Sequence, residues 1–335
     1  MSSLKKILNN QISCKSIWFM RQAGRYLPEF RKIRSKNKNF IKLCLNSKLS
    51  SKITLQPIER FDLDSAIIFS DILMVPYALG QKVKFSKGKG PKLNNFNYEY
   101  FLNTSEHEFF RKLKPVYKAI TLTRKKLDKK KSLISFVGAP WTLLIYMLDL
   151  KKNNSKLNTK KLKSIKNLDK IINKLIHFSC LHIKNQAKAG ANVVQIFDSW
   201  AGLIPNKFKK DYCFIPNKKI VDYCKKHRIP TICFPKGIKK KYKEFNKFVK
   251  PSCLNLDSNI NPIWAKKNLK NVVLQGGLDP RVLLQSNEII FKGATKYIQA
   301  FKDIPYVFNL GHGLLPQTDP DKVNKLIKFY RSYDG

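Results

Sequence analysis

Short apolar runs alternate with longer stretches of helical spacing along almost the whole chain. Runs of about five residues, mostly apolar and bounded by polar or turn residues, are the mark of strands buried on both faces. The pattern predicts eight: 16–20 (SIWFM), 65–69 (SAIIF), 133–137 (LISFV), 193–197 (VVQIF), 230–234 (PTICF), 252–256 (SCLNL), 271–275 (NVVLQ) and 305–309 (PYVFN). Between them apolar residues recur at helical spacing, as in Ile171, Leu175, Phe178 and Leu181, or Leu283, Leu284, Ile289, Ile290, Tyr297 and Ile298. A last helix is expected at about 320–332, and 82–100, with its KGKGP core, reads as a hairpin or long loop inserted after the second strand.

Eight strand–helix units in 335 residues, undivided by any Gly- or Pro-rich linker, predict one domain, 1–335, folded as a (β/α)8 TIM barrel. An open doubly wound sheet would usually carry a GxGxxG loop after its first strand, and none is present. Distinctive polar groups follow the strand ends: Arg21 after the first, Asp71 after the second, GAPW (138–141) after the third and DSWAG (198–202) after the fourth. FPKG (234–237), LDS (256–258), GGLDP (276–280) and LGHG (310–313) close the series. Barrel enzymes build their sites at that face.

Composition sharpens this. The chain has 66 basic residues, of which only ten are arginines, yet four of those, Arg21, Arg25, Arg31 and Arg34, fall within fourteen positions of one another. In a chain that defaults to lysine, such a cluster signals a need for the planar guanidinium fork, which grips carboxylate or phosphate with two donors. The net charge of +44 admits a polyanionic partner, but the lysines are spread along the chain and no RRM, KH or zinc-finger signature accompanies them. Solvated helix faces account for them. The seven cysteines are an odd number with no CxxC pair, which points to a reducing compartment and free, buried thiols. No run approaches membrane-spanning length and the N-terminus lacks a signal-peptide core, so a soluble cytoplasmic protein is expected.

Six motifs together resemble the uroporphyrinogen decarboxylase family of heme biosynthesis: WFMRQAGRYLPEFR at 18–31, FSDIL at 69–73, GAPWTLLIYM at 138–147, DSWAG at 198–202, FPKG at 234–237 and FNLGHGLLPQT at 308–318. The resemblance runs from about residue 15 to residue 320. Two positions depart from it: Ser258 stands where the family usually has Trp, and Gly277 where it usually has Asn.

The resemblance implies removal of carbon dioxide from the four acetate side chains of uroporphyrinogen III, giving coproporphyrinogen III, with no metal or organic cofactor. It implies a homodimer with facing clefts and no specific nucleic-acid or membrane partner. It assigns substrate binding to Arg21, Gln22, Ala23, Gly24 and Arg25 of the RQAGR loop, and to Arg34, Asp71, Tyr146, Ser199 and His312. Asp71, Arg21 and Arg25 carry the catalytic assignments. Asp71 is expected to accept hydrogen bonds from the pyrrole N–H groups, and Arg21 or Arg25 is the candidate proton donor. His107, His177, His182 and His227 read as surface or core residues.

Two other readings stand beside this one. A zinc- or corrinoid-dependent methyltransferase of the same barrel superfamily needs a His/Cys ligand set, and His312 has no HxC partner. A basic nucleic-acid-binding protein would need basic and aromatic residues interleaved on one surface.

Overall fold

The computed structural model describes residues 2–9, 15–85, 90–152 and 156–333. Among the described residues nine strands form: β1 (Ser65–Ile67), β2 (Val83–Phe85), β3 (Pro91–Leu93), β4 (Ser132–Gly138), β5 (Val193–Asp198), β6 (Thr231–Pro235), β7 (Cys253–Leu256), β8 (Val273–Gly276) and β9 (Tyr306–Val307). Seven of them build one curled parallel sheet in the order β1-β4-β5-β6-β7-β8-β9, with helices on its outer side. Their boundaries lie within two residues of the expected ones. β2 and β3 pair antiparallel between β1 and β4; residues 86–89, within the expected hairpin tip, lie outside the described residues.

The expected strand at 16–20 is reduced to an isolated parallel bridge between Ile17 and Phe308. The Phe308 N–H donates to the Ser16 carbonyl (2.9 Å) and the Trp18 N–H donates back to Phe308 (3.3 Å). On the other flank the Asp64 N–H donates to the Ile17 carbonyl (3.0 Å). Side chains take the remaining partners: Asp64 Oδ2 accepts the Ile17 N–H (2.7 Å) and Asn309 Oδ1 accepts the Met20 N–H (3.2 Å). The segment is therefore held between β9 and the start of β1, but its backbone ladder is too short for a regular strand.

Strand alternation sends every second side chain inward. Trp18, Met20, Ile67, Ile134, Val193, Ile232, Phe234, Cys253, Val273 and Val307 meet in one buried cluster, with members from all seven strands and from the 16–20 segment. Leu4, Ile7 and Leu8 of the helix Ser3–Leu8 join it, and Ser2 bonds Ser132 at the start of β4, so this helix plugs the N-terminal end of the sheet. A polar layer crosses the interior: the Trp18 indole donates to Gln275 (3.0 Å), whose amide donates to Asn255 (2.7 Å). Toward the strands' C-terminal ends, the partly exposed rings of Phe136 and Phe197 meet edge to face at 5.6 Å.

The last helix, Pro320–Ser332, starts on an Asp319 cap with Pro in its first turn, the signal expected of a helix start. Cys44, Cys180, Cys213, Cys224, Cys233 and Cys253 are free and buried, as expected; Cys14 lies outside the described residues. Among the described residues no helix is long and apolar enough to cross a membrane.

Candidate active site

The loop after Met20 is fixed almost entirely by its own groups. The Gln22 N–H donates to Phe19 (3.0 Å), the Leu27 N–H to Gly24 (3.0 Å) and the Tyr26 hydroxyl to the Gln22 carbonyl (2.8 Å). The Arg31 guanidinium clamps the carbonyls of Arg25 (3.0 Å) and Tyr26 (2.9 Å). This web holds Arg21 at φ +60°, a left-handed conformation that costs a non-glycine residue about 1 kcal/mol or more. The strain sits on the residue that enters the mouth. The Arg21 stem crosses Gly313: a Cβ at that glycine would lie 2.4 Å from Arg21 Cδ. Gly313 is thus the floor on which Arg21 rests.

Asp71 is positioned from behind. The helix Ser47–Arg60 pins the chain just before it, with Thr54 Oγ1 accepting the Phe69 N–H (2.9 Å) and Ser50 Oγ donating to the Phe69 carbonyl (2.6 Å). Asp71 Oδ1 accepts the Leu73 N–H (2.8 Å), and no described residue donates to Oδ2. Burial raises the carboxyl from 3.8 to about 6, against the opposing pull of the Leu73 N–H and the Arg21 guanidinium. Arg21 in turn lies below its ordinary value, because burial, with Arg25 beside it, outweighs the attraction of Asp71. Arg21 reaches solvent yet is desolvated, as expected of a group inside a concavity.

Tyr146, on the helix Pro140–Met147 that follows β4, shares this space. Burial raises its phenol, and Trp200, Asp71 and Arg21 all act on it. The rings of Tyr146 and Trp200 stand 6.2 Å apart, edge to face. His312 enters from the loop after β9. Burial and the cations Lys236 and Arg21 lower its imidazole from 6.5 to about 4, with Asp279 opposing, so it is neutral near pH 7 and offers one ring N–H. Arg21, Asp71 and His312, from three loops, and Tyr146, from the helix after β4, therefore meet in one mouth.

The other expected site residues divide. Arg25 is exposed beside Arg21 and has no acidic partner among the described residues; Ala23 and Gly24 are half-buried in the same loop. Ser199 is half-buried at the end of β5, and its hydroxyl has no bonding partner among the described residues. Gln22 is fully buried (0%): its Oε1 accepts the Phe19 N–H (3.1 Å) and its Nε2 donates to the Ser65 carbonyl (3.1 Å), so its side chain braces the loop that carries Arg21. Arg34 also lies apart: it donates to the Asn37 carbonyl and stands 5.9 Å over Phe40, with no contact to the four mouth residues.

Two carboxylates inside the quoted motifs bond to the protein itself. Asp198, one step past the inward Phe197, faces outward, fully buried, and accepts from Thr142 (2.8 Å) and Asn217 (3.2 Å). Asp257 accepts the N–H groups of Gly237 (2.8 Å) and Asn259 (3.1 Å). Sequence reading gave no role to Gly313 or Lys236, although both stand inside quoted motifs. Of the remaining histidines, His182 is buried and bonded to the Tyr117 hydroxyl, His177 pairs with Glu106 at the surface, and His227 is exposed. Among the described residues no group of three or more His, Cys, Asp or Glu side chains could hold a metal ion.

Known proteins share the fold and the sequence of this chain to different degrees. Among solved structures the chain resembles a methyltransferase from Methanosarcina mazei (TM-score 0.79, 15% identity, 99% of this chain and 98% of that one). It also resembles a B12-independent methionine synthase from Shewanella sp. W3-18-1 (TM-score 0.55, 10% identity, 85% and 86%). At such identities these likenesses speak for the α/β fold alone. The sequence relatives are far nearer. Uroporphyrinogen decarboxylases of Rickettsia felis (41% identical over 322 residues, 95% of this chain and 93% of that protein) and Rickettsia bellii (40% over 330 residues, 95% of each) align over nearly the whole length. The family model described as uroporphyrinogen decarboxylase (URO-D) matches residues 3–333. The chain therefore belongs to the uroporphyrinogen decarboxylase family, the carboxy-lyases of porphyrin biosynthesis.

Proposed function

We propose that this chain decarboxylates the four acetate side chains of uroporphyrinogen III in the mouth built around Arg21 and Asp71, without metal or cofactor. The observation that carries the reading is that Asp71, Tyr146 and His312, from separate elements, all lie within the electrostatic reach of Arg21 in a single desolvated space. The 16–20 segment acts as the eighth strand and closes the sheet into a (β/α)8 barrel, a reading supported by its bonds to both Phe308 and Asp64.

Breaking the bond between an acetate methylene and its carboxylate leaves an electron pair that needs a sink. Protonating the pyrrole ring supplies one. The ring becomes cationic, the C–CO2 bond breaks into it, and a second proton on the methylene with loss of the ring proton leaves a methyl group. Asp71 Oδ2, free of donors among the described residues, accepts the pyrrole N–H groups and faces the growing positive charge. At about 4 Å and an effective dielectric near 20, a carboxylate stabilises such a charge by roughly 4 kcal/mol. That is about a thousandfold in rate if the attraction develops with the transition state. Arg21, whose proton is loosened by burial, is the donor candidate; Arg25 grips rim carboxylates with its fork. Tyr146, Ser199 and His312 donate single hydrogen bonds, and Gln22 holds the loop that presents them with Arg21.

The protein acts as a cytoplasmic homodimer. Apolar side chains left exposed at Ile263, Leu284 and Ile289 support an association surface on the elements after β7 and β8. The deciding experiment is anaerobic incubation of the purified protein with uroporphyrinogen III, with and without a chelator, and product identification by mass. Stepwise loss of four carbon dioxide molecules in both is expected. No mass loss would overturn the reading.

A further inference from the structure

One cation of the mouth has no role in the scheme above. Lys236 follows β6, the middle strand of the seven, whereas the segment leading to Arg21 touches both outer strands of the sheet. Lys236 therefore enters from the side farthest from Arg21. Its backbone is fixed: its N–H donates to the carbonyls of Phe234 (3.0 Å) and Asp198 (3.1 Å), and its carbonyl accepts the Gly202 N–H (2.9 Å). Its ammonium is half-buried and meets no carboxylate or carbonyl at bonding distance among the described residues. Asp257, the acid nearest in effect, is already occupied by Gly237 and Asn259.

Lys236 directly follows β6 as His312 follows β9, so both stand at the strands' C-terminal ends with Arg21; in keeping with that, burial lowers the lysine's pKa, with Asp257 opposing and Arg21 adding to the drop, and Lys236 in turn helps lower His312. A half-buried, unpaired ammonium opposite a guanidinium costs stability, and a function offsets that cost only if an anion arrives from outside.

We propose that Lys236 is a specificity-determining anchor for one of the substrate carboxylates that survive the reaction, held across the macrocycle from Arg21. This deepens the reading of the mouth as a porphyrinogen site and rests on it. A carboxylate about to leave as carbon dioxide loses its charge in the transition state. A fixed cation on it would stabilise the ground state and slow the step. A cation on a retained carboxylate holds ground and transition state alike and shows in KM rather than kcat.

The test compares parent, Lys236→Met and Lys236→Arg on uroporphyrinogen and on its intermediates with seven, six and five carboxylates. Lys236→Met should raise KM about tenfold on all four substrates, the loss of about one charge-assisted contact. Its kcat should stay within about threefold of the parent. Its melting temperature should be equal or higher, because an unpaired charge has gone. Lys236→Arg should keep KM within about threefold of the parent.

A Lys236→Met KM within about twofold of the parent would overturn the proposal. So would a penalty that disappears on the intermediates, which would place the lysine on an acetate. If Lys236→Met does not fold, Lys236→Gln takes its place, and failure of both would give the lysine a structural role and end the proposal. A parent that releases no carbon dioxide would sink the reading of the site instead, so the two failures are distinguishable.

Discussion

Replacing Asp71 by Asn should move activity and stability in opposite directions, and the structure sets both magnitudes. The amide keeps the Oδ1 acceptor for the Leu73 N–H and removes only the charge. Turnover should fall by at least about a hundredfold, since the roughly 4 kcal/mol attraction to a developing cation is what the carboxylate supplies. Folding should benefit. The carboxyl titrates near 6 in the folded chain against 3.8 ordinarily, so burial disfavours its ionised form. At about 1.4 kcal/mol per tenfold in the protonation equilibrium, that difference is worth roughly 3 kcal/mol. It reduces to about 2 kcal/mol because the mouth is open to water.

The sign of the pH dependence follows. A carboxyl raised above its unfolded value costs nothing below about pH 4, where both states bind the proton, and its full amount above about pH 6. Urea unfolding should therefore find the variant and the parent equally stable at pH 4, with the variant ahead by about 2 kcal/mol at pH 7. Asp198, also raised to about 6, is present in both proteins and cancels in the difference. In the kinetics, the parent's kcat/KM should fall about tenfold per pH unit below 6, an acid limb that the variant lacks. A variant that keeps more than about a third of parental turnover, or a stability gain identical at pH 4 and pH 7, would refute the argument.

Three further outcomes are expected. Arg25→Lys should lower kcat/KM about tenfold, because the exposed fork has no internal acid to serve and a point charge cannot replace its paired donors; steady-state kinetics with a loss under about twofold would dismiss the bidentate grip. Gly313→Ala should cost at least about tenfold in kcat/KM while the thermal melt shifts by only a few degrees, since the new methyl lands 2.4 Å from Arg21 Cδ and must push the guanidinium aside. Gly277→Asn, which restores the residue the resemblance leads one to expect, should destabilise by about 2 kcal/mol in urea unfolding: φ there is +106°, and a Cβ would lie 2.3 Å from the Tyr297 ring. Adding Tyr297→Ala should recover part of that loss.

How legible the molecule was in its sequence varied with the physics involved. The seven sheet strands were found because strands buried on both faces leave continuous apolar runs bounded by turns. The 16–20 segment has the same apolar look, but Asp64 and Asn309 side chains take its backbone partners, and no apolar pattern reports that. Asp71, Arg21, Tyr146 and His312 were singled out by the motifs that carry the family resemblance, and the structure brings the four near one another. The bonds of Asp198 and Gln22 were not legible, because the end of a strand fixes a residue's height, whereas the side it faces depends on strand parity and on local hydrogen bonds. Gly313 and Lys236 were silent for another reason. Each matters only against Arg21, a residue nearly 300 or just over 200 positions away, whose path the sequence does not reveal.

The use of arginine across the chain bears on the same point. Of the ten, six grip acceptors inside the protein: Arg31, Arg34 and Arg124 hold carbonyls, Arg60 and Arg281 take Glu29 and Asp279 with two donors, and Arg331 reaches both Asp62 and Asp64. Arg111 and Arg228 lie exposed on the outer surface. Arg21 and Arg25 remain. In a chain that places lysine wherever a plain positive charge suffices, these two keep guanidinium groups with no acceptor among the described residues, side by side at one mouth, and one of them is held in a strained backbone conformation. Structural need explains the six and not these two. Two guanidinium forks without acceptors among the described residues are suited to planar anions from outside, and the proposed substrate, a macrocycle rimmed with carboxylates, would supply several at once.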